Sequence, residues 1–378
     1  MSLPPGRRLL LSLYTTWSGL QNYIMKPRTF ESILFVGALL APTVAMRALL
    51  AQRTTISGQV VVRHSEVPVS YAVVGAKPGA AERFTGSDGL FVLHELRPGK
   101  ITLSARHIGY APIDTTIDLV AGDSVNLRLE LALITTQLPA VHALAQQCTH
   151  PGDAKANLTA ELSVLFDQVK QNAERNRLLA TSYPFEVIIE RKITKPEPAL
   201  EARFVAYDTV IRSSARPWRY EPGNMLGTRE IESGALGGKW YTITMPELAD
   251  FADQRFLENH CFDFGGEEVF DGDTLLRMDF APAPVVHTPD VGGSIFLDSK
   301  TYQIRMMQLT LVNLTKQLRD QISGQSIVAR FKEPFAGVPV IDRVQSMVIP
   351  RSDGKGAASE PSTEDQRSLR VRFLKGKP

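Results

Sequence analysis

Histidine and cysteine are the residues of this chain best suited to bind a metal ion. None of its 7 histidines is followed three residues later by Glu, so the H-x-x-E pair with which zinc peptidases present two ligands is missing. His150, His260 and His287 have Asp at that spacing, with proline or cysteine in between. Because proline breaks a helix, this spacing argues against a zinc peptidase.

The 2 cysteines, Cys148 and Cys261, are predicted to form a disulfide, which is the simplest state of an isolated pair in an oxidising compartment. If they meet, His150 and His260 come close to them, so a four-ligand zinc site is the alternative. The adjacent residues His260 and Cys261 point in diverging directions, which favours the disulfide. We therefore expect neither a bound metal nor a cofactor.

Three common catalytic and nucleotide-binding patterns are absent from the sequence. We find no G-x-S-x-G, no G-x-x-x-x-G-K-[ST] and no G-x-G-x-x-G. The chain is therefore predicted not to be an enzyme, and a Zn-dependent hydrolase is kept as an alternative.

Four aromatic residues near the middle of the chain form a candidate ligand platform. They are Trp218, Tyr220, Trp240 and Tyr241. Exposed rings at these positions would stack on a sugar or a peptide. The alternative is that they lie in the core or at a sheet edge, since aromatic residues are common in strands.

The elements that position these residues begin with short strands between Ile56 and Leu131. Asp88-Gly89 and Pro98-Gly99 are turn dipeptides. The residues from Val125 to Leu131 alternate apolar and polar, which is typical of a strand with one buried face. Several such strands between turns predict a β-sandwich.

The order of motifs in this stretch resembles the carboxypeptidase regulatory-like domain. The motifs are Ile56-Ser57-Gly58-Gln59-Val60, Pro68-Val69, Ala72-Val73-Val74, Thr85 to Phe91, Leu96-Arg97-Pro98-Gly99 and Gly109-Tyr110. The resemblance implies a transthyretin-like, Ig-like sandwich that serves as an accessory module and supplies no active site. A carboxypeptidase activity is not implied, because the H-x-x-E zinc motif is missing.

The rest of the chain is predicted to be an antiparallel β domain with one packed helix, so the whole is mainly β. The helix is placed at about Ala154 to Leu179, and a capping box at Thr244 to Glu247 predicts a second, short helix. Gly292 to Ile304 is predicted to be a β-hairpin, similar to hairpins of half-barrel lipoprotein-carrier folds. The other strands are predicted at 185–193, 203–211, 239–243, 275–281, 327–331, 344–349 and 369–374.

The amino-terminal segment has the order of a secretory signal peptide. Lys26 and Arg28 precede the apolar run Ile33 to Ala41, and small residues follow. Met25 is an alternative start, and an uncleaved signal that associates with a membrane is an alternative fate. The predicted organisation is extension and signal at 1–52, sandwich at 53–134, linker at 135–152 and β domain at 153–378.

The charge balance of the chain argues against nucleic acid as a partner. The chain has 42 basic and 40 acidic residues, so it lacks the excess of positive charge that nucleic-acid binding requires. The predicted function is an exported, non-enzymatic binding or interaction protein of the periplasm, outer membrane or extracellular space. Its predicted partners are a glycan, a peptide, a lipid or an envelope protein. An accessory role in an outer-membrane transport system is the alternative.

Overall fold

The computed structural model describes residues 54–134, 160–197, 202–215, 219–231, 238–335, 337–351 and 360–376. Within these ranges the chain forms an Ig-like β-sandwich followed by a large antiparallel sheet against which one long helix packs. The predicted fold class is confirmed.

The sandwich consists of two four-stranded sheets, with strand orders β4-β1-β8-β6 and β3-β2-β5-β7. Strand β1 runs parallel to β8 and antiparallel to β4. Leu129 and Leu131 point into the core between the sheets, whereas Asn126 and Arg128 face solvent. The strands are β1 Thr54–Val62, β2 Val73–Lys77, β3 Ala80–Phe84, β4 Leu90–Leu96, β5 Gly99–Arg106, β6 Tyr110–Ala111, β7 Ile113–Leu119 and β8 Ser124–Leu133.

The second region contains the helices α1 Ala160–Ser182, α2 Gln254–Asn259 and α3 Lys316–Arg319, and a 3-10 helix Leu248–Ala252. Its strands are β9 Phe185–Glu197, β10 Ala202–Ser213, β11 Leu226–Ile231, β12 Gly238–Ile243, β13 His260–Phe270, β14 Asp273–Pro282, β15 Asp290–Asp298, β16 Ile304–Val312, β17 Ile322–Phe335, β18 Val338–Pro350 and β19 Ser362–Phe373. Strands β11 and β12 form a separate hairpin.

Nine strands form one sheet in the order β10-β9-β19-β18-β17-β16-β15-β14-β13. We call the face that packs against α1 the inner face and the opposite one the outer face. The main core lies on the inner face, where Leu165 and Phe166 of α1 meet Phe251 of the 3-10 helix and Ile295 of the sheet. Alternation along each strand therefore gives the sheet a largely apolar inner face. The outer face is more polar, but it carries a small buried cluster of Leu275, Phe296 and Met306.

The sandwich is docked on α1 and on the sheet by polar and apolar contacts. The Arg106 guanidinium pairs with Glu174 of α1 and, at 2.6 Å, with Glu82 of the sandwich. The Gly109 N–H donates to Gln168 Oε1 at 2.8 Å. Ile108, which lies between these two contacts in the sequence, is buried in the main core of the second region. The sandwich thus completes a core that belongs mainly to the other part of the chain.

Most of the predicted elements are found, with two corrections in the second region. The hairpin at Gly292 to Ile304 is β15, a turn and β16. The capping box predicted at Thr244 to Glu247 is wrong, because the helical turn starts at Leu248 and is a 3-10 helix. There the Asp250 carboxylate accepts the Glu247 N–H at 2.7 Å. The sequence analysis does not predict strands β11 and β13. In β13 the Gly265-Gly266 pair and the acidic residues Asp263, Glu267 and Glu268 interrupt the alternation.

Candidate ligand cavity

A cavity of about 360 Å³ lies between the carboxyl-terminal half of α1 and the inner face of the sheet. Strands β9, β10, β17, β18 and β19 form its floor and the 3-10 helix forms part of its roof. Its walls are mainly apolar, and its size is within the range of small-molecule sites, about 300–1,000 Å³. It is lined by Asn176, Arg177, Ala180, Thr181, Pro184, Phe185, Val187, Ile189, Arg212, Ser214, Ala215, Glu247, Leu248, Ala249, Phe331, Val340, Ile341, Val344, Gln366 and Ser368.

The apolar floor follows directly from the period of the strands. Phe185, Val187 and Ile189 occupy alternate positions of β9 and are all buried, whereas Glu186 and Glu190 point to the outer face. Val340 contributes the same kind of surface from β18. The cavity therefore offers a ligand a continuous hydrocarbon surface on the sheet side.

Arg212 and Gln366 both line the cavity and form a hydrogen-bonded polar pair in its wall. The Arg212 Nη2 donates to Gln366 Oε1 at 2.6 Å, and Gln366 Nε2 donates to Glu364 Oε1 at 2.7 Å. Burial lowers the pKa of Arg212 to about 10, although Glu364 opposes this shift. Arg212 thus remains a cation at neutral pH.

The Glu364 carboxyl group does not line the cavity itself but accepts the hydrogen bond from Gln366, two residues away in β19. Burial raises its pKa to about 7, against the hydrogen bond from Gln366 and the charges of Arg191 and Arg212. Its Oε2 is buried and has no hydrogen-bond partner. At neutral pH this group is therefore divided between its protonated and its ionised form.

The roof of the cavity includes Glu247, Leu248 and Ala249, which enter or begin the 3-10 helix. Leu248 also packs into the main core. The pKa of Asp250 is raised to about 8, mainly by burial and to a lesser extent by the negative charge of the nearby Glu247. The roof is thus attached by apolar packing and by a buried carboxyl group that is mostly uncharged at neutral pH.

Of the four aromatic residues predicted to form a ligand platform, Tyr220 is buried. Tyr220 is 1% exposed, and its hydroxyl donates to Asp290 Oδ2 at 2.6 Å. Trp218 lies outside the described residues, as do the side chains of Trp240 and Tyr241 in β12. Tyr220 is therefore a core residue and does not contribute to an exposed platform, and the ligand-binding role of Trp218, Trp240 and Tyr241 stays a prediction.

The hypothetical zinc set loses one member, because His260 is a core residue. Its ring stacks on Phe256 at 3.9 Å between centroids. Its Nδ1 lies 2.9 Å from the Phe256 carbonyl oxygen and its Nε2 lies 3.2 Å from that of Val291. Both ring nitrogens are thus engaged with the protein. Among the described residues no group of three or more His, Cys, Asp or Glu side chains is placed to hold a metal.

The predicted disulfide is only half within the described part of the chain. Cys261 is the second residue of β13 and is partly buried, whereas Cys148 and His150 lie outside the described residues. The pairing of Cys148 with Cys261 stays a prediction.

Comparison with known families identifies the sandwich. Residues 55–132 match the model of the carboxypeptidase regulatory-like domain. The resemblance recognised in the motifs from Ile56 to Tyr110 is thus confirmed. The match covers the regulatory-like sandwich alone and does not include α1 or the nine-stranded sheet. No curated protein matches the chain.

Similarity to solved structures is weak and concerns about half of the chain. A LolA superfamily protein from Nitrosomonas europaea has 12% identity and a TM-score of 0.27, with 56% of this chain and 94% of that chain covered. A DUF1329 family protein from Desulfovibrio piger has 11% identity and a TM-score of 0.29, with 56% and 95% covered. MucB in the MucA/MucB complex of Pseudomonas aeruginosa has 11% identity and a TM-score of 0.20, with 56% and 100% covered. The expected weak resemblance to half-barrel envelope proteins is found, and at these scores it carries no argument about function.

The residues that line the cavity were not identified from the sequence. Arg212 follows Val210 and Ile211 in β10, and a charged residue in a strand is normally assigned to solvent. In β19 every residue from Ser362 to Ser368 is polar, so alternation cannot reveal that Gln366 faces inward.

Among the described residues, no helix is long and apolar enough to span a membrane.

Proposed function

We propose that this chain is an exported, non-enzymatic binding protein of the cell envelope that holds an apolar or amphipathic small molecule in the cavity between α1 and the sheet. The observation that carries the proposal is the composition of the cavity. Its floor is hydrocarbon from β9 and β18, and its wall includes the hydrogen-bonded pair of Arg212 and Gln366. A ligand with an apolar body and one polar group matches this composition.

Two further features support a binding role. The regulatory-like sandwich is of a type that accompanies other domains without supplying a catalytic group, and it packs on the helix that forms one wall of the cavity. The buried polar groups next to the cavity also bond mainly to one another, as in the chain from Arg212 through Gln366 to Glu364. That arrangement suits recognition of a polar group better than it suits activation of a nucleophile.

The proposal is tested by filling the cavity. Ala180 lies on α1 and lines the cavity, so Ala180→Trp would place an indole in the space of the ligand. The control is Ser182→Trp, which adds the same ring to the exposed last residue of the same helix. Binding would be measured with a fluorescent fatty-acid probe and with an uncharged apolar dye.

We expect both probes to bind the parent chain and Ser182→Trp with equal affinity. Ala180→Trp is expected to weaken binding at least tenfold, since a filled cavity leaves the probe no apolar surface to bury. Circular dichroism would establish that both variants are folded. Equal binding by the two variants would refute the cavity as the site, and absence of binding by the parent would refute the ligand class.

A further inference from the structure

The outer face of β9, β10 and β19 carries exposed apolar side chains at one edge of the sheet. Tyr207 and Ile211 of the edge strand β10 are 67% and 57% exposed, and Val205 is exposed on the same face. Tyr207 pairs with Lys192 and Ile211 with Ile188 in the register of β9. Large exposed apolar residues that share one face mark an interaction site more often than isolated ones do.

Basic side chains lie beside these apolar residues. The Lys192 ammonium is 5.7 Å from the centre of the Tyr207 ring. Arg367 and Arg370 of β19 are exposed and point to the same face, since their register partners in β9 are Glu190 and Ile188. Neither arginine forms an ion pair with any described residue. Beside them lies one exposed carboxylate, that of Glu190, which also forms no ion pair with a described residue.

The remaining charges of this face neutralise one another. Arg343 is held by Asp365, with its Nε 2.7 Å from Oδ1, and Arg372 pairs with Glu186. The net charge of the face is therefore set by Lys192, Arg367 and Arg370 against Glu190. A shallow notch of about 160 Å³ lies among Glu190, Lys192, Tyr207, Arg343, Asp365 and Arg367.

We propose that this outer face, defined by Lys192, Tyr207, Ile211, Arg367 and Arg370, docks the protein on the surface of an anionic phospholipid bilayer. Basic residues near such a surface are attracted to it, and an exposed tyrosine has an apolar body and a polar tip that suit the interface. The occupant is assigned from charge complementarity. A neutral glycan would make no use of the unpaired arginines, and the proposal does not depend on what the cavity binds.

The first test compares two double variants that lose the same charge. Arg367→Gln with Arg370→Gln removes two cations from the face. Arg97→Gln with Lys100→Gln removes two exposed cations from the sandwich. Binding of the full chain to vesicles would be measured by sedimentation at low and high salt, once with pure phosphatidylcholine and once with one third phosphatidylglycerol.

We expect the anionic lipid to increase binding of the parent chain, and high salt to abolish that increase. Each cation removed from the face is expected to lower the partition coefficient on anionic vesicles about fivefold, so that the first variant loses about 25-fold. The sandwich variant keeps most of its binding. Because the apolar amino-terminal segment is present in all chains, only the increment caused by anionic lipid is compared.

A second measurement locates the docked face directly. Tyr207→Trp places an indole on the face, and Val269→Trp places one on β13 at the opposite edge of the sheet, where Val269 is 75% exposed. On anionic vesicles the emission added by Tyr207→Trp is expected to move to shorter wavelengths, and that added by Val269→Trp is not. Equal losses in the two double variants, or equal emission shifts, would overturn the proposal. A change in oligomeric state without loss of vesicle binding would instead identify an interface between two copies.

Discussion

At the scale of single residues, Gly89 links a sequence motif to a tight backbone contact. It follows Asp88 in the turn before β4 and has φ of 75°, a conformation that side chains with a β-carbon seldom adopt. A β-carbon at Gly89 would lie 2.5 Å from the Val60 carbonyl oxygen. The Leu90 N–H donates to Asp88 Oδ1 at 3.0 Å, which fixes the same turn. Both the conformation and the contact therefore require glycine.

Gly89→Val is expected to lower the free energy of unfolding by about 1 to 3 kcal/mol from backbone strain, and further because of the contact with Val60. Gly272→Val is the matched control, because Gly272 has φ of 89° and a β-carbon there would meet nothing within 4 Å. Urea unfolding of both variants provides the comparison. If Gly272→Val is as costly as Gly89→Val, the contact with Val60 makes no contribution.

At the scale of elements, the 3-10 helix carries the buried Asp250 that responds to pH. The pKa of Asp250 is raised to about 8, mainly by burial and then by Glu247, with Asp253 contributing in the same direction. In the unfolded chain the group ionises near its ordinary value of 3.8. Between pH 3.8 and about pH 8 the folded state therefore keeps a proton on Asp250 that the unfolded state has lost. The stability of the folded state falls as pH rises through this interval.

We expect Asp250→Asn to remove this share of the pH dependence. Its melting temperature should change less than that of the parent chain between pH 5 and pH 8. Glu364→Gln is the comparison, because the pKa of Glu364 is raised only to about 7. The loss of stability that Glu364 causes as pH rises therefore ends about one pH unit below the loss caused by Asp250. A parent chain whose melting temperature is constant from pH 5 to pH 8 would contradict the assignment for both groups.

The helices and strands also differ in how readily the sequence predicts them. Strand β8 was evident because Leu129 and Leu131 alternate with charged residues, and the β15–β16 hairpin was evident from its turn. The sequence predicts β19 only from Leu369 onward, because the first half of the strand is polar on both faces. On the inner face, Gln366 accepts a hydrogen bond from Arg212 and Ser368 donates one to the Ile341 carbonyl oxygen, so the partners of these two polar residues are distant in sequence. Local periodicity cannot reveal such partners, which is why the cavity was missed although most of the strands around it were predicted.

At the scale of the whole molecule, the regulatory-like sandwich and the large sheet share buried residues. Ile108 of the sandwich lies in the main core, and Val73 and Phe84 pack in one cluster with Leu179 of α1 and Val338 of β18. An interface that completes a core couples the stabilities of the parts it joins. The motifs predicted the sandwich but could not predict this docking.

Ile108→Ala is expected to destabilise the chain by about 2 to 5 kcal/mol, since it leaves a cavity in the shared core. Calorimetry of the parent should give a single unfolding transition, and the variant should move it as a whole. Leu103→Ala, in the core of the sandwich alone, is the control and should move the same transition. Two separate transitions in the parent, of which Ile108→Ala shifts only one, would mean that the sandwich and the sheet unfold independently.

The place of β19 in the sheet also determines how the chain must fold. Strand β19 lies between β9 and β18, so β9 and β10 join the other strands only through it. The pair Thr363 and Thr194 is separated by about 170 residues in sequence, and contacts between such distant residues form slowly because a long loop must close first. Until β19 is inserted, β9 and β10 are not hydrogen-bonded to the other strands of the nine-stranded sheet, and the cavity has neither Gln366 nor Ser368 in its wall. The complete cavity is therefore formed only when this strand pairing across a long stretch of sequence has been made.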